Sequence, residues 1–143
     1  MDTIKFELHD MATMMTAILC FLFATMIVVS GKFRPVSAFL LAGFFLSQSF
    51  ISVHELVLYG DQFRYTVLNN SPNWFFIGSL GYAINGPLLY LYVVSIIRPD
   101  FSLSVRHRWY LLPLAIYFIF FIGIFYSQEY WVKHQIIELY LFD

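Results

Sequence analysis

The sequence predicts an all-α fold: a polytopic membrane helical bundle of four transmembrane helices, forming a single membrane domain over residues 1–143. Three observations predict it. Four stretches, 11–31, 35–53, 65–97 and 109–128, contain no Lys, Arg, Asp, Glu or His. The eight Lys and Arg and the nine Asp and Glu sit almost entirely in the gaps between them. The chain is 60% apolar and 12% charged, against the ~25% charged residues of an ordinary soluble domain. A spanning helix needs ~20 apolar residues, because it rises ~1.5 Å per residue through a ~30 Å hydrocarbon layer. A soluble domain would instead spread charge along every helix to keep one face wet. Barrel strands would alternate apolar and polar residues, whereas Phe44-Phe45-Leu46 and Phe118-Ile119-Phe120-Phe121-Ile122 do not.

Span 1 covers about 11–30 and stops at Gly31-Lys32-Phe33-Arg34-Pro35, which combines a capping glycine, two bases and a helix breaker. Its leader carries Asp2, Glu7 and Asp10 against Lys5, so it reads as a retained anchor rather than a cleaved signal peptide. Span 2 covers 36–58 and closes at Tyr59-Gly60-Asp61. The link 59–73 reads as polar and turn-rich, ending in Asn69-Asn70-Ser71-Pro72-Asn73. Span 3 covers 74–97 and stops at Arg98-Pro99-Asp100, with Arg106-His107-Arg108 beyond. Span 4 covers 109–127, and Pro113 reads as a first-turn proline or a mild kink without a role. Residues 128–143 read either as an interfacial helix or as the lead-in to a further span. Aromatic residues flank the spans (Tyr59, Trp74, Trp109, Tyr126, Trp131), where one edge of the ring meets lipid and the other meets water.

Orientation follows from Lys and Arg. The links after spans 1 and 3 hold Lys32, Arg34, Arg98, Arg106 and Arg108; the opposite side holds Lys5, Arg64 and Lys133. The richer set belongs inside, which predicts an N-out/C-out arrangement.

Functional information concentrates in the polar exceptions. Gln48, Ser52, Glu55 and Tyr59 share one face of span 2, with His54 beside them. They are expected either to wall a ligand pocket open to the outside, or, should the helix end near Val53, to leave His54 and Glu55 in the interface. Asn85-Gly86-Pro87 interrupts span 3. Proline removes a backbone hydrogen bond, so Gly86 and Pro87 read as a hinge and Asn85 as a ligand contact, or the triplet is a static kink with Asn85 joining helices. Gly78, Gly81, Asn85 and Leu88 form a seam along which a neighbouring helix could approach closely. Tyr82, Tyr90, Tyr92 and Tyr117 present hydroxyls either to a pocket or to backbone carbonyls between helices.

Other classes find no support. No Ser/His/Asp spacing, His-Glu-x-x-His helix or glycine-rich phosphate loop occurs, so catalytic residues, metal ligands and cofactors are all expected to be none, and the chain is read as no enzyme. Cys20, the one cysteine, lies inside span 1 and reads as a small packed hydrophobe. A net charge of −1 with no basic stripe leaves no nucleic acid partner for this segment.

From span 3 onward, Gly86-Pro87-Leu88-Leu89-Tyr90-Leu91-Tyr92-Val93, a short basic link, and then Arg108-Trp109-Tyr110-Leu111-Leu112-Pro113 resemble the N-terminal membrane sensor region of bacterial AraC-type (helix-turn-helix) transcription regulators. The resemblance covers nearly the whole chain; Trp109-Tyr110 is a more aromatic approach to the Leu-Leu-Pro turn than the pattern has. It implies a multi-pass protein of the bacterial inner (cytoplasmic) membrane, the signal-sensing portion of a one-component regulator. Its partners would be the lipid bilayer, a small-molecule or periplasmic signal, and a second copy in a homodimer. No helix-turn-helix pattern follows span 4, and four spans leave the C-terminus outside. The chain is therefore expected to be the first part of such a sensor, truncated before its DNA-binding domain. The rival expectation is a small four-helix transporter subunit or a structural interaction module.

Overall fold

The computed structural model describes residues 8–30, 35–70, 72–98 and 100–142. Asp2, Lys5 and Glu7 of the leader, the Gly31–Arg34 link with its cap and two bases, Ser71, Pro99 and Asp143 lie outside the described residues, whereas Asp10 is described and buried. Six α-helices follow one another: α1 Leu8–Ser30, α2 Pro35–Tyr59, α3 Asp61–Asn70, α4 Leu80–Ile97, α5 Leu112–Phe121 and α6 Tyr130–Phe142. Short 3-10 turns at Pro72–Trp74 and Ile77–Ser79 lead into α4, and a 3-10 helix, Val105–Leu111, leads into α5. A π-helical turn, Ile122–Tyr126, extends α5. Among the described residues there is no strand.

Four helical segments are long and apolar enough to cross a membrane: Leu8–Ser30, Pro35–Tyr59, Ile77–Ile97 and Trp109–Tyr126. Their lipid-facing surfaces are apolar, with Phe21, Phe23, Phe39, Ile116, Ile119 and Phe120 all exposed. In water such a surface would demand a partner; in hydrocarbon it is the solvated state.

Two boundaries differ from expectation. Residues 59–73 are not a turn-rich link, because α3 occupies most of them. Their polar average hid an i, i+4 apolar pair: Phe63 lies against Gly60, and Val67 packs on the buried cluster of Val57, Phe75, Phe125 and Ile137. Gly60 makes the junction, since a Cβ there would fall 2.6 Å from the Leu56 carbonyl oxygen. Span 3 begins at Ile77 rather than Trp74. The reason is local: side chains take the carbonyls that a continuous helix would use, His54 bonding Phe75 O (3.3 Å) and Tyr117 bonding Phe76 O (3.0 Å).

Helix α2 is the central element, with α1 on one side and α4 on the other. Small residues let α1 close on it: Ala17 and Ala24 are buried, as is Ala42 of α2, and Ser49 Oγ donates to Ala17 O at 2.9 Å. The α2–α4 contact is closer still. A Cβ on Gly81 would lie 2.6 Å from Ser47 O and 2.7 Å from Ile51 Cγ1; one on Gly78 would lie 2.7 Å from His54 Cβ and from Phe50 O. Leu88 fills the space over Gly43. The glycine seam expected from the sequence is thus the contact surface of α4, and α4 stays helical through Pro87.

His9 and Tyr59 pack ring to ring at 6.0 Å, which puts the start of α1 beside the end of α2. Helix α6 lies at that same end, bonded through Lys133 Nζ to Asn73 Oδ1 (2.8 Å). Its Ile137 is wholly buried (0% exposed) against Phe75 (1%) and Phe125 (3%). Lys133 is 8% exposed, with its ammonium 5.9 Å from the Phe125 ring centre. This buried cluster therefore caps one end of the bundle.

Candidate functional site

The residues singled out from the sequence fall into two settings. Asn85 lies between α2 and α4, where its Oδ1 accepts from Ser47 Oγ (2.8 Å) and Gln48 Nε2 (3.4 Å). An amide without bulk water needs such partners, and a hydrogen bond between membrane helices is worth about 0.6–2 kcal/mol. One turn from the far end, Ser95 Oγ donates to Ser37 Oγ at 3.0 Å, a second polar tie between the same helices. Ser52 is buried within the bundle. Gly86, next to the proline, is open: nothing lies within 4 Å of a Cβ built there.

His54 and Glu55 stand in the other setting. Helix α2 does not end near Val53 but runs on to Tyr59, so His54 is drawn inside and is only 6% exposed. Phe75 O can only accept, so the 3.3 Å contact requires His54 Nδ1 to carry the proton. That leaves Nε2 an acceptor. Glu55 takes a hydrogen bond from Tyr82 of α4 (Oη to Oε1, 3.0 Å). Tyr59, the last member of the expected stripe, turns toward α1 through His9. The stripe therefore divides its contacts, Gln48 and Glu55 bonding to α4 and Tyr59 meeting α1, instead of facing a single opening.

His54 and Tyr82 line a cavity of about 620 Å³ between α4 and α5. Its floor is polar: Ser79 Oγ and Tyr117 Oη are hydrogen-bonded to each other, and Tyr117 Oη also donates to Phe76 O. Its walls are apolar, made by Ala83, Pro113, Ile116 and Phe120. Phe76, at the root, ties the helices through rings at 5.5 Å (Phe121) and 5.0 Å (Phe125), and Tyr117 stacks on Phe121 at 4.2 Å. Pro113, placed in the first turn of α5 as one sequence reading had it, thus also borders the cavity.

Two contributors, Ser47 and Ser79, escaped the sequence reading, whereas Tyr117 was among the tyrosines it named. Ser47 was legible in principle, because Gly43 and Ser47 form a small-xxx-small pair on α2. Ser79 and Tyr117 lie 38 residues apart, and no periodicity links them. Among the described residues no group of three or more His, Cys, Asp or Glu could hold a metal ion. What the arrangement offers chemically is a hydrogen-bond acceptor and two hydroxyls at the base of an apolar hollow at membrane depth. No protein-family model, curated protein or solved structure matches the chain.

Proposed function

We propose that this chain is the membrane-embedded signal-sensing portion of a one-component bacterial transcription regulator, standing N-out/C-out in the inner membrane, and that the cavity between α4 and α5 receives the signal. The observation that carries the reading is the His54–Ser79–Tyr117 floor. It is a hydrogen-bonding surface set inside hydrocarbon, where polar groups are costly and tend to mark ligand pathways. The site lies within the half of the bundle capped by α6, the half that the Lys and Arg distribution assigns to the outside. A signal molecule would act by favouring one packing of α5 over another, which requires different affinities for the two. The DNA-binding output lies in a part of the regulator other than these residues.

Two measurements test this. The reading frame beyond the Asp143 codon at the source locus should continue through further apolar runs into a helix-turn-helix pattern. A stop codon directly after it removes the regulator and leaves the transporter-subunit or interaction-module reading. In the full-length regulator, Tyr117→Phe and His54→Gln should shift the reporter response to signal while protein abundance stays constant; unchanged dose–response curves in both would remove the cavity from the mechanism. Topology is checked in a Cys20→Ser background by single cysteines at Asn69 and Asp100. Asn69→Cys should react with an impermeant maleimide in intact cells, and Asp100→Cys only after lysis.

A further inference from the structure

Between the last turns of α4 and the 3-10 helix Val105–Leu111 lies a second hollow, about 770 Å³, that no part of the sensing mechanism uses. We infer that it is a binding site for the headgroup of an anionic phospholipid. The position comes first: Arg98 follows the last residue of α4, and Trp109 opens span 4, so the hollow sits at headgroup level. Its lining then grades as a lipid does. Leu91 and Val94 supply an apolar wall on the membrane side, and Arg98, Ser104 and His107 close the polar side.

The donors are set in place. Ser104 N–H donates to His107 Nδ1 at 3.0 Å, so the ring must carry its proton on Nε2. The ring is held between Phe101 (4.9 Å) and Tyr110 (6.3 Å, stacked). Tyr110 Oη donates to Tyr90 Oη at 3.4 Å, which leaves the Tyr90 proton for another acceptor. Among the described residues Arg98 makes no ion pair; Asp100 shares a neighbouring hollow with Arg98 and His107 but not this one. A guanidinium, an imidazole N–H and a phenol around one hollow match the several acceptor oxygens of a phosphodiester. Basic pockets between membrane helices at the cytoplasmic face have this preference, and the Lys and Arg distribution places this end there. The inference does not depend on the signal-sensing reading.

Trp109 lines the hollow and reports on it directly. The chain with Trp74→Phe and Trp131→Phe keeps Trp109 as its only indole. In nanodiscs of phosphatidylcholine, a dibrominated phosphatidylglycerol should quench Trp109 at about one-fifth the mole fraction needed by dibrominated phosphatidylcholine. Arg98→Gln with His107→Gln should bring the two lipids level, and Arg98→Lys should keep most of the preference. Equal quenching by both lipids in the single-tryptophan protein overturns the inference, as does a preference that survives the double substitution. Inorganic phosphate at millimolar concentration should leave the quenching unchanged. Relief of quenching by phosphate would mean that the pocket takes a free anion rather than a lipid, and would overturn the assignment too.

Discussion

Helix α4 meets its two neighbours in opposite ways. Against α2 it presents glycine, and backbone approaches backbone so closely that a methyl group on Gly81 would collide with Ser47 O. Toward α5 the fit is looser, and the ring contacts gather at one end, where Phe76, just before α4, meets Phe121 and Phe125. A hollow of about 620 Å³ lies between α4 and α5, and one of about 770 Å³ lies between the end of α4 and the 3-10 helix that leads into α5. The physical reason is the solvent. Lipid gives helices no hydrophobic reward for closing, so close packing requires small residues and polar ties. The α2–α4 contact has both, with Gly78, Gly81, Ser47–Asn85 and Ser37–Ser95. Helix α5 has large side chains facing α4 and a π-helical continuation, so it stands off and leaves space that a ligand can use.

The comparison is broken most forcefully at Gly81. Gly81→Leu should abolish the folded monomer in mild detergent, seen as loss of the monodisperse peak on size-exclusion chromatography. Gly81→Ala should cost about 1–3 kcal/mol in denaturant titration. A Gly81→Ala protein as stable as the parent would mean that the α2–α4 contact is looser than described.

Next comes the polar tie. Asn85→Ala and Ser47→Ala, with their double variant, should give a coupling of about 0.6–2 kcal/mol. Additivity of the two single effects would show that the 2.8 Å bond adds nothing to the joint.

On the α5 side, Tyr117→Phe should cost only about 0.5–1.5 kcal/mol, because it removes one hydrogen-bonding hydroxyl while the stack on Phe121 stays. Hydrogen exchange in the α5 segment should nevertheless rise more than in α2. A uniform change across the bundle would contradict the independence of α5.

The smallest effect belongs to Gly123, where nothing lies within 4 Å of an added Cβ. Gly123→Ala should be neutral or stabilising by up to ~1 kcal/mol, as expected for an exposed helical glycine, in contrast to Gly81. A loss comparable to that of Gly81→Ala would show that α5 is as tightly packed as α4.

The two glycines show where sequence reading stops. Gly81 announced itself through its spacing from Gly78 and Asn85, and the seam it predicts is present. Gly123 carries the same letter in an equally apolar run, and only the neighbours distinguish the two. Residues 59–73 show a related limit: averaged polarity suggested turns, whereas Val67 found a buried cluster of Val57, Phe75, Phe125 and Ile137 drawn from distant parts of the chain. The candidate site was half legible. His54 was singled out as an anomaly, but Ser79 and Tyr117 became its companions only once α5 lay beside α4.

By itself the sequence determined that four segments are long and apolar enough to cross a membrane. Bilayer thickness sets a length, charge is excluded from it, and both constraints act on each segment separately, so they can be read locally. It also determined that α4 could approach a neighbour closely, since that needs only the absence of side chains. Only the tertiary structure decided which helix would come close, that α6 would fold back to bury Ile137, and that hollows would open between α4 and the segments that follow it. Those outcomes depend on shape matching between segments far apart in the chain, and in lipid no burial pattern along a single helix encodes it.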